Sequence, residues 1–167
     1  MADRTNHYEL AFEEYLRSRQ VPYVAVDEAR RSLLEGSSIK SLDFIVSHSQ
    51  GGSWLVDVKG RRFPSGRKRQ YWKNWSTGDD LASMARWQNV FGQRFHGLFV
   101  FAYLVQGDRA PLSAEQLFTF REQQYGFVAV RLEHYATYAR LISPRWDTLA
   151  MPTRRFRQLA EPMEQLL

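Results

Sequence analysis

Cysteine is absent from the 167 residues, which excludes disulfides and thiolate metal sites. Long apolar runs are missing too. The longest, LFVFAYLV at 98–105, has eight residues, against the roughly 20 that a membrane-crossing helix needs. ADRTNHYEL, which follows Met1, is polar and unlike a secretory signal. The four histidines (His7, His48, His96, His134) are dispersed, without zinc-ligand spacing. Neither GxxxxGK(S/T) nor GxSxG occurs, so nucleotide-loop and serine-hydrolase readings have no support. Internal repeats and low-complexity linkers are also lacking. These absences lead us to expect a soluble cytoplasmic chain with no membrane partner. Hydrophobic residues at 44% and aromatic residues at 14% suffice for one packed domain over 1–167.

Acidic residues are absent from one stretch in particular. Residues 59–73 hold seven basic side chains (Lys59, Arg61, Arg62, Arg67, Lys68, Arg69, Lys73) and no acid, in a chain whose net charge is +5. Such a cluster is a footprint for polyanions, although many basic runs are only solvated loops. Tyr71, Trp72 and Trp75 are interleaved with it. Aromatic rings there either stack on bases or cover the edge of the core. Arg61, Arg62, Arg67, Lys68, Arg69, Trp72 and Lys73 are the candidate nucleic-acid contacts. Arg154, Arg155 and Arg157 read better as a solvated helix face.

Periodicity supplies the elements. Tyr8, Ala11, Phe12, Tyr15 and Leu16 form a helical stripe over 6–20, with Asn6 as N-cap and Glu9 three residues on, in the manner of a capping box. A short strand is expected at 21–26, then a turn or brief helix at 27–37. Strands follow at 41–47 and 53–59, and a basic loop at 60–76. Thr77 caps a helix over 78–91 with Leu81, Met84, Gln88 and Phe91 along one side. LFVFAYLV then reads as a buried central strand reached by a crossover. A hairpin at 116–120 and 125–131, a short helix at 133–141, an extended piece at 147–151 and a basic helix from Thr153 complete the chain. The order predicts an α/β or α+β sandwich with a mixed sheet.

The hairpin SLDFIVSHSQGGSWLVDVK carries unexpected charges inside its strands. If Ser49, Gln50 and Gly51 form a three-residue loop with Gly51 left-handed, paired residue numbers sum to 100. Asp43 then faces Asp57, with Cβ atoms about 4.5–5.5 Å apart, where like charges repel. Lys59 lies on the same face as Asp57. Two outcomes are open. Either both aspartates face solvent and Lys59 neutralises them, or the carboxylates share a divalent cation such as Mg²⁺ or Mn²⁺. Glu9 is the helix acid closest to the apolar stripe, so it either caps its helix or looks along the sheet surface.

Glu9 on a first helix, Asp43 on one strand and Asp57-Val58-Lys59 on the next resemble the PD-(D/E)xK nuclease superfamily. The likeness is closest to its small Holliday-junction-resolvase-like and restriction-endonuclease-like members. His7-Tyr8-Glu9 also resembles the N-terminal HYE motif of a bacterial family within it. Leu42 stands where the superfamily commonly has Pro, and Asp57 occupies the D/E position. The resemblance covers about residues 6–105 and implies an αβββαβ core with a mixed central sheet flanked by helices, leaving 106–167 as C-terminal elaboration. It implies a Mg²⁺- or Mn²⁺-dependent nuclease acting on nucleic acid, DNA above all, as a monomer or homodimer. Glu9, Asp43 and Asp57 would ligate metal together with the Val58 carbonyl, and Lys59 would position or activate the attacking water. The competing expectation is a non-catalytic nucleic-acid-binding domain that retained the fold.

Overall fold

The first helical stripe winds into α1 (His7–Ser18), where Ala11, Phe12, Tyr15 and Leu16 are all buried. Asn6 caps it, its side chain accepting from the Tyr8 N–H at 3.0 Å. The structure, a computed structural model, describes residues 6–26, 32–34 and 37–167. After β1 (Tyr23–Ala25), the strands β2 (Ser32–Leu34) and β3 (Ser37–Ile39) pair as a small antiparallel hairpin. Part of the expected turn or brief helix at 27–37 is therefore strand, and the rest of that segment lies outside the described residues.

Next come β4 (Phe44–His48) and β5 (Gly52–Phe63), antiparallel, with Phe44 opposite Val56 and His48 opposite Gly52. Their paired numbers sum to 100, as the three-residue loop requires. Gly51 has φ +82, the left-handed conformation in which a Cβ would be strained. β4 begins at Phe44 rather than 41, and β5 runs to Phe63, well past the expected end at 59. Arg61 and Arg62 thus stand in a strand rather than a loop. The reason is packing, since Phe63 is 1% exposed and anchors the far end of β5 in the core.

β6 (Ser76–Thr77) leads into α2 (Gly78–Phe91), capped by Thr77 in a reciprocal box with Asp80. β7 (Phe95–Val105) returns parallel to β5, with Asp57 beside Phe99 and Lys59 beside Phe101. It is buried from Gly97 to Leu104, as a central strand covered on both faces must be. β8 (Phe118–Phe120) and β9 (Gln123–Arg131) form the expected second hairpin. α3 (Leu132–Tyr138) ends sooner than expected, because Arg140 and Leu141 belong to β10 (Arg140–Ser143). β11 (Thr148–Ala150), α4 (Thr153–Leu159) and β12 (Glu161–Pro162) close the order.

The main sheet runs β1-β4-β5-β7-β9-β12, with β8 on β9, while β10-β11-β6 make a separate three-stranded sheet. Because β5 side chains alternate, its even positions Trp54, Val56 and Val58 pack with Phe12 and Leu16 of α1. Its odd positions Leu55 and Phe63 pack with Met84 of α2, Tyr135 of α3 and Phe156 of α4. The sheet is therefore a middle layer between α1 and the other three helices. Among the described residues, no helix is long and apolar enough to cross a membrane.

Candidate active site

The odd positions of β5 carry Asp57, Lys59 and Arg61 onto the α2 face. Lys59 Nζ lies 3.1 Å from Asp57 Oδ2 and donates to Asp80 Oδ2 at 2.7 Å. The ammonium thus bridges two carboxylates, one from the strand and one from the first turn of α2. Asp80 is more than a partner for Lys59. Its Oδ2 also accepts from Ser76 Oγ at 3.0 Å and from the Thr77 N–H at 3.1 Å, and its Oδ1 accepts from Lys40 Nζ. Lys40 is held in place by its own backbone, whose N–H donates to Ser83 Oγ and whose carbonyl accepts from Trp87 Nε1.

Electrostatics separates the two acids. Burial pushes the Asp57 carboxyl above its ordinary value, with Asp80 adding to the shift and Lys59 opposing it. Burial would also raise Asp80, but Lys59 and Lys40 overcome it and hold that carboxyl well below the usual range. For Lys59, burial lowers the pKa, and the two adjacent carboxylates more than reverse this. Asp80 is therefore held as an anion, whereas burial works against the charge of Asp57 in spite of its pair with Lys59.

Asp43 immediately precedes β4 and lies beside the middle of β5. Its N–H donates to the Val56 carbonyl at 2.8 Å, and its Oδ2 accepts from the Val58 N–H at 2.6 Å. The residue thus straddles Asp57 along the partner strand. Glu9 is buried on α1, its Oε1 accepting from Asn6 Nδ2 at 2.9 Å. The other members of HYE have packing partners, His7 Nδ1 lying 2.9 Å from the Tyr125 hydroxyl. Tyr8 covers Gly60 so closely that a Cβ there would collide with its ring. α1 and Glu9 accordingly belong to the face of the sheet opposite Lys59. Among the described residues, no three His, Asp or Glu side chains are gathered closely enough to hold a metal ion.

Asp80 and Lys40 were not read as site residues from the sequence. The signal for Asp80 was available, because Thr77-x-x-Asp80 is a capping box that fixes an acid at a helix start. Lys40 had no local signal.

The basic stretch divides in the structure. Arg61 is committed to the protein, donating to the Gly60 carbonyl at 2.7 Å and to the Trp75 carbonyl, with its guanidinium 3.9 Å from the Trp75 ring centroid. Trp72 is half-buried against Phe63 and Tyr103, so its ring covers the core edge. Lys73 is half-buried, whereas Arg62, Arg67, Lys68 and Arg69 are exposed. Arg62, Arg67 and Arg69 line one cavity of about 490 Å³ with Tyr71 and Gln106. Reversing Arg67, Lys68 and Arg69 to Glu is expected to weaken DNA affinity across all sequences. The slope of log affinity against log salt should become shallower by about one for each phosphate no longer neutralised. Fluorescence anisotropy over a salt series checks this, and unchanged binding would take these three side chains out of the polyanion contact expected from the sequence.

No protein-family model and no curated protein sequence matches the chain. Among solved structures, it is similar to Hjc, a Holliday junction resolvase from the archaeal hyperthermophile Archaeoglobus fulgidus. The TM-score is 0.55 at 9% sequence identity, over 95% of this chain and 96% of that one. The chain has the Hjc-type, restriction-endonuclease-like fold. At that identity the likeness concerns the fold alone. Within it, β4, β5 and α2 are the elements that present Asp43, Asp57, Lys59 and Asp80.

Proposed function

We propose that the chain is a metal-dependent nuclease that hydrolyses phosphodiester bonds of nucleic acid, DNA above all. The observation that carries this reading is the Asp57–Lys59 pair on one face of β5, with Asp43 straddling it from β4. The donor chemistry fits a hard divalent cation. Mg²⁺ is commonly held by one or two carboxylates plus waters and substrate phosphate, rather than by an all-protein cage. Asp57 and Asp43, with the Val58 carbonyl, supply such an oxygen set, and Mn²⁺ suits the same ligands. Glu9, the third carboxylate of the resemblance, is bound to Asn6 on the helix that packs against the other face of the sheet and is left out of that set.

When bound, the ion polarises a phosphoryl oxygen and lowers the pKa of a water. The protein's own groups do the rest. Asp57, whose charge burial disfavours, gains a cation for a neighbour. Lys59, kept protonated by Asp57 and Asp80, presents a fixed positive charge where the phosphorane charge develops. Asp80 anchors that ammonium from behind and is a positioning residue. Exposed Arg67, Lys68 and Arg69 hold the phosphate backbone.

A second reading is favoured by one observation: Lys59 is already satisfied by two carboxylates. That arrangement suits a nucleic-acid-binding domain that retains the fold without the chemistry. Incubating the protein with linear, nicked, single-stranded and four-way DNA in Mg²⁺ or Mn²⁺ separates the two. The nuclease reading expects metal-dependent cleavage of at least one substrate, and the binding reading expects retention without cleavage.

A further inference from the structure

Large aromatic side chains are usually buried, yet Trp146 is 68% exposed. It lies in the turn between β10 and β11. Leu141 at 55%, Ile142 at 60% and Trp75 at 39% exposure accompany it, and Ile142 and Trp75 line one cavity of about 410 Å³. This concentration of exposed apolar surface on a small sheet signals a binding face.

Its charges identify the occupant. The Arg145 guanidinium lies 5.1 Å from the Trp146 ring centroid, whereas Arg61, engaged with backbone carbonyls, only backs the Trp75 ring at 3.9 Å. Arg155 lies 4.7 Å from the Tyr138 ring centroid, and Tyr138 is 36% exposed. Exposed rings paired with guanidinium groups match the alternation of base and phosphate in a single strand. Bases stack on aromatic faces and the intervening phosphates meet cations.

The position is equally informative. Asp147, next to Trp146, accepts from the Asp79 N–H at 3.2 Å through its carboxylate and from the Gly78 N–H at 3.0 Å through its carbonyl. β11 pairs with β6, where Ser76 and Thr77 hold Asp80, and Asp80 holds Lys59. The turn is thereby tied to the start of α2, at the Asp57–Lys59–Asp80 row.

We infer that the β10–β11 turn and Trp75 form a stacking platform for unpaired nucleotides beside that row. The preferred substrate is therefore DNA with an unpaired or splayed strand next to the phosphate to be cut. The inference rests on the nucleic-acid reading above and adds the strand structure recognised.

The test compares wild type, Trp146→Ala and Trp146→Phe for affinity to a fully paired duplex and to the same duplex with a central unpaired gap. Wild type should prefer the gapped DNA. Trp146→Ala should lose about tenfold on gapped DNA, the scale of one stacked base, and less than about twofold on paired DNA. Trp146→Phe should recover most of the loss. Equal losses on both substrates, or none on either while wild type binds both, overturn the platform and leave the nuclease reading intact. A wild type that binds no DNA in any form overturns both. A change of oligomeric state in Trp146→Ala with unchanged DNA affinity assigns the face to a second copy and overturns the platform.

Discussion

Replacing Lys59 with methionine is expected to lower DNA cleavage by on the order of 10²–10⁴-fold, the range for a group acting in proton transfer or charge stabilisation. DNA binding and metal binding should both persist. The substitution keeps an unbranched side chain of similar length and removes the ammonium that spans Asp57 and Asp80. A fall in kcat with KM little changed is the signature of an interaction used chiefly in the transition state. Single-turnover cleavage beside equilibrium anisotropy resolves the two quantities. A variant that cuts at the wild-type rate would remove Lys59 from the chemistry.

The largest stability effect is expected at Asp80. Asp80→Ala removes the capping partner of Thr77, the acceptor for Ser76 and the counter-charge of Lys59 and Lys40 in one step. Breaking a buried ion pair by deleting one member costs about 3–5 kcal/mol, and urea denaturation measures it directly. The pH dependence follows from the shifts. Asp80 has a lowered pKa in the folded state, so its contribution is complete above the ordinary value of 3.8 and fades as pH falls further. Asp57 is raised, so the folded state holds its proton longer than the unfolded chain. Its cost begins as pH rises above 3.8 and grows until the folded carboxyl has ionised. Asp57→Asn should therefore be no less stable than wild type at pH 7, while Asp80→Ala is much less stable there.

What the sequence made legible was local. The loop length and Gly51 determine the β4–β5 register, because a left-handed residue at the third loop position admits one pairing. The stripe of α1 and the Thr77 cap of α2 are likewise short-range patterns. The same-face relation of Asp57 and Lys59 needs only the period of a strand.

The rest required three dimensions. Lys40 and Asp80 are 40 positions apart, and only the crossover through α2 brings them together. Arg61 and Arg62 disguised the end of β5, since two cations in succession read as loop until Trp75 and Tyr8 are seen beside them. Trp72 and Trp75 are three residues apart and have similar composition around them. Yet one covers the core and the other is open to solvent, a distinction settled by Phe63 and Tyr103. The first two residues of β10 read from the sequence as the end of a helix, because the strand's apolar pair, Leu141 and Ile142, is exposed and gives no buried-strand pattern.

Asp57 stands or falls as a metal ligand in a working nuclease on titration calorimetry with Mg²⁺ and Mn²⁺, run beside cleavage assays on wild type and Asp57→Asn. We expect divalent-ion binding and metal-dependent cleavage by wild type, with both lost in a folded Asp57→Asn protein. Wild type that binds no divalent ion at millimolar concentration, or an Asp57→Asn variant that binds metal and cuts as wild type does, would contradict that role.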